Sequence, residues 1–95
     1  MTLTIVAKLT AEKGEEEFLA KQLSSLVEPT RAEAGCIQYD LHQSNDDPAV
    51  FLFFELWETR ELWQDHMNSS HIKANGEATK GKIANVELHE MSQIA

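Results

Sequence analysis

Apolar and polar side chains alternate in several stretches of the chain, which is the pattern of β-strands with one buried face. In the second of these stretches Ile37, Tyr39 and Leu41 form the apolar face. The third stretch is apolar at almost every position and is interrupted only by Glu55, which indicates a strand buried on both faces. The predicted strands cover residues 2–9, 36–43, 50–57 and 83–92.

Between these strands the apolar residues recur every three or four positions, as they do on one side of an α-helix. The first such segment contains Pro29, which predicts a bend, and Gly35 is positioned to stop the helix. Thr59 is positioned to cap the second helix at its amino terminus. The predicted helices cover residues 15–34, 60–67 and 71–79.

The order strand, helix, strand, strand, helix pair, strand predicts an α+β fold of the ferredoxin-like, split βαβ type. We expect a single domain over residues 1–95, with a four-stranded antiparallel sheet and helices on one face. The other face would then expose the most apolar strand to water. We therefore expect a homodimer in which two sheets pack against each other.

Charge and cysteine content exclude several classes of partner. The chain has 8 Lys and Arg against 16 Asp and Glu, so its formal net charge is −8. Such a chain lacks the basic surface that binds nucleic acid or anionic membranes. A single cysteine, Cys36, excludes an internal disulfide and fits a reducing compartment. No signal peptide or membrane-spanning run is recognised, so we expect a cytoplasmic protein.

Glu55 is the first candidate for chemistry, because it interrupts an apolar strand beside Phe51, Phe53 and Trp57. A buried carboxylate without a partner is unfavourable. Glu55 could occupy an edge position or a structural salt bridge. Alternatively, it is a functional group with a raised pKa or a histidine partner, and Trp57 on the same face could stack against a planar substrate.

His66 and His71 are the second pair of candidates. His66 shares a helical stripe with Leu62 and is expected to face the sheet, whereas His71 stands in a first helical turn. Each could be a surface or capping residue, or a base beside an apolar cavity. A two-histidine, one-carboxylate metal site with Glu55 is also conceivable, but nothing local fixes such a geometry, and we expect no metal.

Three stretches in register resemble the antibiotic biosynthesis monooxygenase family of the dimeric α/β-barrel superfamily. One departure from the family pattern is Ser70, where the family usually has proline before the second histidine. The matching stretches are Thr30-Arg-Ala-Glu-Ala-Gly-Cys-Ile-Gln-Tyr39, Phe54-Glu-Leu-Trp57 and His66-Met-Asn-Ser-Ser-His71.

The resemblance implies a homodimeric barrel with a small pocket between sheet and helices in each subunit. It also implies cofactor-free oxygenation of quinols or aromatic polyketides, or isomerisation of a phosphorylated compound. Haem-degrading relatives carry asparagine and histidine where this chain has Ala7 and Gly76, so haem is not expected. By this resemblance the pocket is lined by Glu55, Trp57, His66 and His71, with Tyr39 nearby.

The favoured hypothesis is a cofactor-independent monooxygenase that acts on a small aromatic or quinol-type substrate and dioxygen. In it, Glu55 orients His66 or His71 as the base, and Trp57, Phe53 and Phe51 supply an aromatic wall. Two alternatives stay open: a proton-transfer isomerase of a small dicarbonyl compound, phosphorylated or not, and a non-catalytic dimeric ligand-binding module.

Overall fold

The structure, a computed structural model, describes residues 2–95. Its helices and strands follow the predicted order, which confirms the ferredoxin-like α+β class. Within the described chain no helix is long and apolar enough to cross a membrane. The elements are β1 (Leu3–Ala11), α1 (Glu16–Ser24), α2 (Val27–Arg31), β2 (Cys36–Gln43), β3 (Val50–Trp57), α3 (Arg60–Met67), α4 (Ser70–Ala78) and β4 (Ile83–Met91).

The four strands form one antiparallel sheet in the order β2-β3-β1-β4. In the centre of the sheet Glu55 of β3 pairs with Ile5 of β1 on one side and with Tyr39 of β2 on the other. Side chains that are paired across antiparallel strands point to the same face. These three side chains therefore lie on the face of the sheet that the helices cover. The buried leucines of α1, Leu19 and Leu23, belong to the core on this side of the sheet.

The opposite face of the sheet carries Val6, Leu52, Phe54 and Leu56, which are only half-buried in the single chain. The sequence predicted that β3 is buried on both faces. Within one chain this holds for one face, because all the helices pack on the same side. The other face, which carries Phe54 and its neighbours, is the surface through which the sequence analysis predicted that two copies pack together.

The single kinked helix predicted over residues 15–34 is wrong. The chain instead forms two helices, α1 and α2, with a break at Ser25 and Leu26. Pro29 then stands in the first turn of α2, where backbone N–H groups have no acceptor within the helix, so the missing N–H costs no hydrogen bond. The predicted buried stripe persists across the break, since Leu26 and Thr30 are both buried.

The predicted placement of Ile37 beside Tyr39 on the apolar face is also wrong, because Ile37 is 50% exposed. The register between β2 and β3 shifts at this point: Cys36 pairs with Trp57, and Gln38 pairs with the residue immediately before Trp57. Ile37 is thus the extra residue of a β-bulge. The bulge turns Cys36 toward the core instead.

Candidate active site

Three polar side chains from separate segments meet beneath the helices. Glu33 lies in the turn between α2 and β2, His66 lies in the last turn of α3, and His71 lies in the first turn of α4. One carboxylate oxygen, Oε2 of Glu33, is 2.7 Å from Nδ1 of His66 and 3.0 Å from Nε2 of His71. We call these three residues the Glu33 cluster.

A capping residue fixes the start of each of the two helices that carry the histidines. The side chain of Thr59 accepts a hydrogen bond from the backbone N–H of Leu62, which fixes the start of α3. Ser69 caps α4 in the same way, through the N–H of Ile72. The short break between the helices lets the chain reverse, so that His71 points back toward α3.

A tight turn holds the carboxylate of the cluster close to α3. The backbone N–H of Glu33 donates to the carbonyl of Thr30 over 2.9 Å, and the turn ends at Gly35 with a φ of +83°. A Cβ atom at Gly35 would lie 2.4 Å from Cδ1 of Leu62. Because glycine has no such atom, α3 packs directly against the turn, and the side chain of Glu33 reaches His66.

Aromatic and hydroxyl groups surround the cluster. The imidazole ring of His66 is 4.8 Å from the ring of Trp57 and 5.4 Å from the ring of Tyr39, centroid to centroid. Oγ1 of Thr30, a fully buried residue, lies 3.1 Å from Nε2 of His71. The two histidines are therefore held by contacts on several sides. Burial lowers the pKa of His66, although the hydrogen bond to Glu33 opposes this shift.

Glu55 lies beside this cluster but has a different partner. Its Oε1 accepts a hydrogen bond from Nε1–H of Trp57 over 3.0 Å, and the residue is only 4% exposed. Burial raises the pKa of Glu55 from 4.5 to about 7, the hydrogen bond from Trp57 opposes the increase, and the charge of Glu33 adds to it. Burial, followed by the charge of Glu55, likewise raises the pKa of Tyr39, which therefore keeps its phenolic hydrogen.

The expectation that Glu55 orients a histidine is wrong, because His66 is hydrogen-bonded to Glu33 instead, and His71 is hydrogen-bonded to Thr30, with its Nε2 3.0 Å from Oε2 of Glu33. Glu33 was missed because the sequence places it near the end of a predicted amphipathic helix, where an acidic residue is usual. Its only distinguishing signal is its position two residues before Gly35, in a turn that brings it back toward the sheet.

A cavity of about 150 Å³ lies between the sheet and the helices, next to the cluster. Of the residues that the sequence predicted, Tyr39, Phe53, Glu55 and His66 line it. Among the described residues the lining is mostly apolar; it also includes Ala7, Leu9, Leu23, Leu26, Trp63, Met67, Ile72, Asn75, Val86 and Leu88.

Three of the predicted site residues do not line this cavity: Phe51, Trp57 and His71. Phe51 is two residues before Phe53, nearer the start of β3, and is buried in the core. Trp57 is fully buried behind Glu55 and His66. Of the Glu33 cluster only His66 lines the cavity, and the ring of His71 is 6.0 Å from the ring of His66, centroid to centroid.

The Glu33 cluster also has the composition of a metal site, since Glu33, His66 and His71 offer three ligand atoms that lie within 4.8 Å of one another. Two imidazoles and one carboxylate suit divalent transition metals. The carboxylate that the sequence suggested for such a site was Glu55, and the structure brings Glu33 there instead. The short distances from Glu33 are equally those of hydrogen bonds.

The fold and the site together define a class: a ferredoxin-like α+β domain with a mostly apolar cavity between sheet and helices that includes carboxyl and imidazole groups in its lining. The model of the antibiotic biosynthesis monooxygenase family matches residues 2–77. The chain therefore belongs to the antibiotic biosynthesis monooxygenase family, which confirms the resemblance seen in the sequence.

Individual relatives agree with this assignment. The chain is 34% identical over 82 residues to "Putative monooxygenase YcnE" of Bacillus subtilis, covering 86% of this chain and 82% of the relative. It is 28% identical over 81 residues to the uncharacterised protein sll1783 of Synechocystis, covering 82% of this chain but only 54% of that longer protein. The crystal structure of PA3566 from Pseudomonas aeruginosa superposes with a TM-score of 0.95 at 36% identity, covering 99% of this chain and 95% of that chain. The family and the name of the Bacillus subtilis relative together support a monooxygenase-type role.

Proposed function

We propose that the protein is a cofactor-independent monooxygenase that acts on a small aromatic or quinol-type substrate. The observation that carries this proposal is the cavity, whose apolar lining brings Tyr39, Phe53, Glu55 and His66 together. A site of this kind can hold a planar ring away from water while a base removes its hydroxyl proton.

The volume of the cavity favours a single ring. A protein cavity of about 150 Å³ lined by apolar side chains accommodates benzene, and this cavity has about the same volume. Tyr39 and Phe53, whose ring centroids are 4.9 Å apart, form one wall. Trp57 donates a hydrogen bond to Glu55, and its ring lies 4.8 Å from the ring of His66. Phe51 is buried in the core nearer the start of β3.

His66 is the proposed base. Its Nδ1 faces Glu33, and its Nε2 has no hydrogen-bond partner among residues 2–95, so Nε2 is available to a ligand in the cavity. Burial favours the neutral imidazole, which is the form that accepts a proton. A base positioned in this way contributes roughly 10²- to 10⁴-fold to a reaction rate.

The reaction needs no electron donor beyond the substrate, because the substrate itself reduces dioxygen. Removal of the hydroxyl proton gives an electron-rich phenolate, which reduces dioxygen and forms a carbon–oxygen bond at a ring carbon that bears hydrogen. Return of the proton gives a hydroperoxide. Loss of the ring hydrogen and cleavage of the O–O bond then release one water and leave a carbonyl, so one phenol and one dioxygen give one quinone and one water.

The test is oxygen uptake by chelator-treated protein with a panel of single-ring and two-ring quinols and phenols. We expect one or more of these to be oxidised, with a loss of roughly 100-fold or more in His66→Gln and no change in His42→Gln, an exposed residue of β2. Absence of uptake across the panel, or full activity of His66→Gln, would overturn the proposal. In the first case the non-catalytic binding module becomes the better description.

A second candidate function is favoured by the pKa of Glu55. A carboxyl group with a pKa of about 7 can both accept and donate a proton near neutral pH, and it shares the cavity with His66. Two such groups could move a proton between adjacent carbons of a small dicarbonyl compound, phosphorylated or not. Deuterium incorporation from solvent into such compounds, abolished in Glu55→Gln, would identify this isomerase and exclude oxygenation as the main reaction.

We further propose that the working form is a homodimer, joined through the half-buried apolar face of the sheet. The partners are then a second copy of the chain, a small-molecule substrate and dioxygen. The cavity lies on the other side of the sheet, so each subunit would retain its own site.

A further inference from the structure

We propose that Nε1–H of Trp63 is a ligand-binding donor, which holds an oxygen atom of the molecule that occupies the cavity. The ligand is then an aromatic compound that carries an oxygen able to accept a hydrogen bond, such as a carbonyl, hydroxyl or phenolate oxygen. The inference deepens the proposed function and rests on it in one respect: it takes the cavity beside His66 to be the substrate site.

The first observation is an indole N–H without an acceptor. Trp63 is 6% exposed, and its Nε1 is the only buried side-chain nitrogen or oxygen among residues 2–95 that has no hydrogen-bond partner. An indole nitrogen donates but does not accept, so the missing partner is an acceptor. A donor buried without one is unfavourable, and buried tryptophan N–H groups usually have a partner.

The second observation is the place of this donor. Trp63 lines the cavity. Glu55 and Asn75 also belong to the lining, but their oxygens accept hydrogen bonds from protein donors, Nε1–H of Trp57 over 3.0 Å and Nε2–H of Gln22 over 3.2 Å. An acceptor on a molecule in the cavity would complete the hydrogen bonding of Trp63 as well.

The third observation is that a contact outside the cavity holds the indole in position. Cζ of Arg60 lies 5.7 Å from the centroid of the Trp63 ring, and Nε of Arg60 is 2.6 Å from Oε1 of Glu90 on β4. A cation over an aromatic face is attracted to it. The donor is therefore restrained before a ligand arrives. The dimer interface that we propose lies on the other face of the sheet, so a second copy would bring no acceptor to Trp63.

The fourth observation is the spacing between Trp63 and His66. The two residues are three positions apart on α3 and both are buried, so they are neighbours on one side of the helix. A ligand hydroxyl that gives its proton to His66 would then lie on the same side of the cavity as the indole N–H. Hydrogen bonds to charged acceptors are roughly twice as strong as neutral ones, so Trp63 would favour the phenolate over the phenol.

Two aromatic probes of matched shape test the donor without any turnover. Acetophenone carries a C=O group where α-methylstyrene carries C=CH₂, and neither has a hydroxyl proton for His66 to remove. Protein labelled with ¹⁵N-tryptophan gives two indole signals, since the chain has two tryptophans. We expect acetophenone to move the Trp63 N–H signal downfield and α-methylstyrene to leave its hydrogen bonding unchanged. The Trp57 signal, from an N–H already bonded to Glu55, serves as the internal reference.

Dissociation constants from the same titrations give the second readout. In Trp63→Phe the affinity for acetophenone should fall by about two- to tenfold more than the affinity for α-methylstyrene, because only the ketone loses a hydrogen bond. Met67→Leu, which changes a side chain of the same helix and cavity without removing an N–H, should affect both probes by the same factor. If phenylalanine repacks the core, the benzothienyl analogue of tryptophan at position 63, with sulfur in place of N–H, should give the same result.

The outcomes separate this inference from the proposed oxygenase. Equal weakening of both probes in Trp63→Phe, or an unmoved Trp63 signal with acetophenone bound, would overturn the donor role even if quinols are oxidised. The expected shift and the selective loss in a protein that oxidises no quinol would support the donor while the oxygenase fails. Failure of both probes to bind would overturn the cavity as an aromatic site, and the donor role with it.

Discussion

Nε1–H of Trp57 donates a hydrogen bond to Oε1 of Glu55 over 3.0 Å, although the two residues lie only two positions apart on one strand. Alternate residues of a strand point to the same face, so both side chains enter the core. Within the part of the chain that is described, the partner of this buried carboxyl group is a neutral donor and not a cation. A raised pKa is the physical consequence.

Removal of that donor should raise the pKa of Glu55 further. In Trp57→Phe an aromatic ring remains, but the hydrogen bond that favours the ionised carboxylate is lost. We expect the carboxyl resonance of Glu55 to titrate at a higher pH than in the native protein, where the pKa is about 7. Carbon-detected NMR of ¹³C-glutamate protein measures this directly, and a lower pKa would contradict the assigned role of Trp57.

Glu55 should also make stability depend on pH. Its pKa is raised from 4.5 to about 7 by folding, so the folded state retains a proton that the unfolded chain releases between these values. The contribution of Glu55 to the free energy of unfolding is therefore complete below pH 4.5 and is lost as pH rises through about 7. The loss is on the order of 3 kcal/mol.

The variant Glu55→Gln isolates this effect because glutamine can still accept the hydrogen bond from Trp57 but does not titrate. Urea unfolding at several pH values should show that the stability of the variant relative to the native protein increases from pH 4.5 to pH 8. Glu77→Gln, at an exposed position, should show no such trend. Parallel pH profiles for native protein and Glu55→Gln would mean that Glu55 is ionised in the folded state.

Sequence patterns predicted those parts of the fold that local interactions decide. The bounds of β2, β3 and α3 agree with the predicted ranges, since an apolar run and a capping residue, Thr59, are both visible within a few positions. The break between α1 and α2 was not predicted, because the apolar stripe continues through it. The bulge at Ile37 depends on register with β3, which alternation within one strand does not contain.

In the site, too, the local pattern predicted the placement of a residue but not its distant partner. His66 was predicted to face the sheet from its helical stripe, and it is buried there. The identity of its carboxylate partner could not be predicted, because Glu33 and His66 are 33 positions apart and meet only when α3 packs on the turn at Gly35. Glu55 stands out in the sequence for its apolar neighbours, but those neighbours report burial and not the nearest hydrogen-bond donor.

Gly35 should be the least replaceable glycine of the chain. Alanine at this position would have to adopt a φ of +83° and would place its Cβ 2.4 Å from Cδ1 of Leu62. Backbone strain and overpacking each cost on the order of 1–3 kcal/mol. We expect Gly35→Ala to lower the free energy of unfolding by about 2–6 kcal/mol, measured by urea denaturation.

Two other glycines provide controls for this prediction. Gly14 also has a positive φ, of +88°, but a Cβ there would meet nothing within 4 Å, so Gly14→Ala should incur the backbone strain alone. Gly76 lies within α4 without a positive φ, and Gly76→Ala should stabilise the protein by roughly 0.5–1 kcal/mol. Equal losses in Gly35→Ala and Gly14→Ala would show that contact with Leu62 is not responsible.

The apolar face of the sheet should determine the oligomeric state. Phe54 pairs with Val6 in the centre of this face, on the side opposite the helices. A dimer formed through this face would bury Phe54, so Phe54→Glu should place a charge in the interface and yield a monomer in light scattering and sedimentation. Phe18→Glu, at an exposed position of α1 on the helix side, should leave the dimer intact. A native protein that sediments as a monomer, or a dimer that survives Phe54→Glu but dissociates in Phe18→Glu, would place any association elsewhere and contradict packing of sheet against sheet.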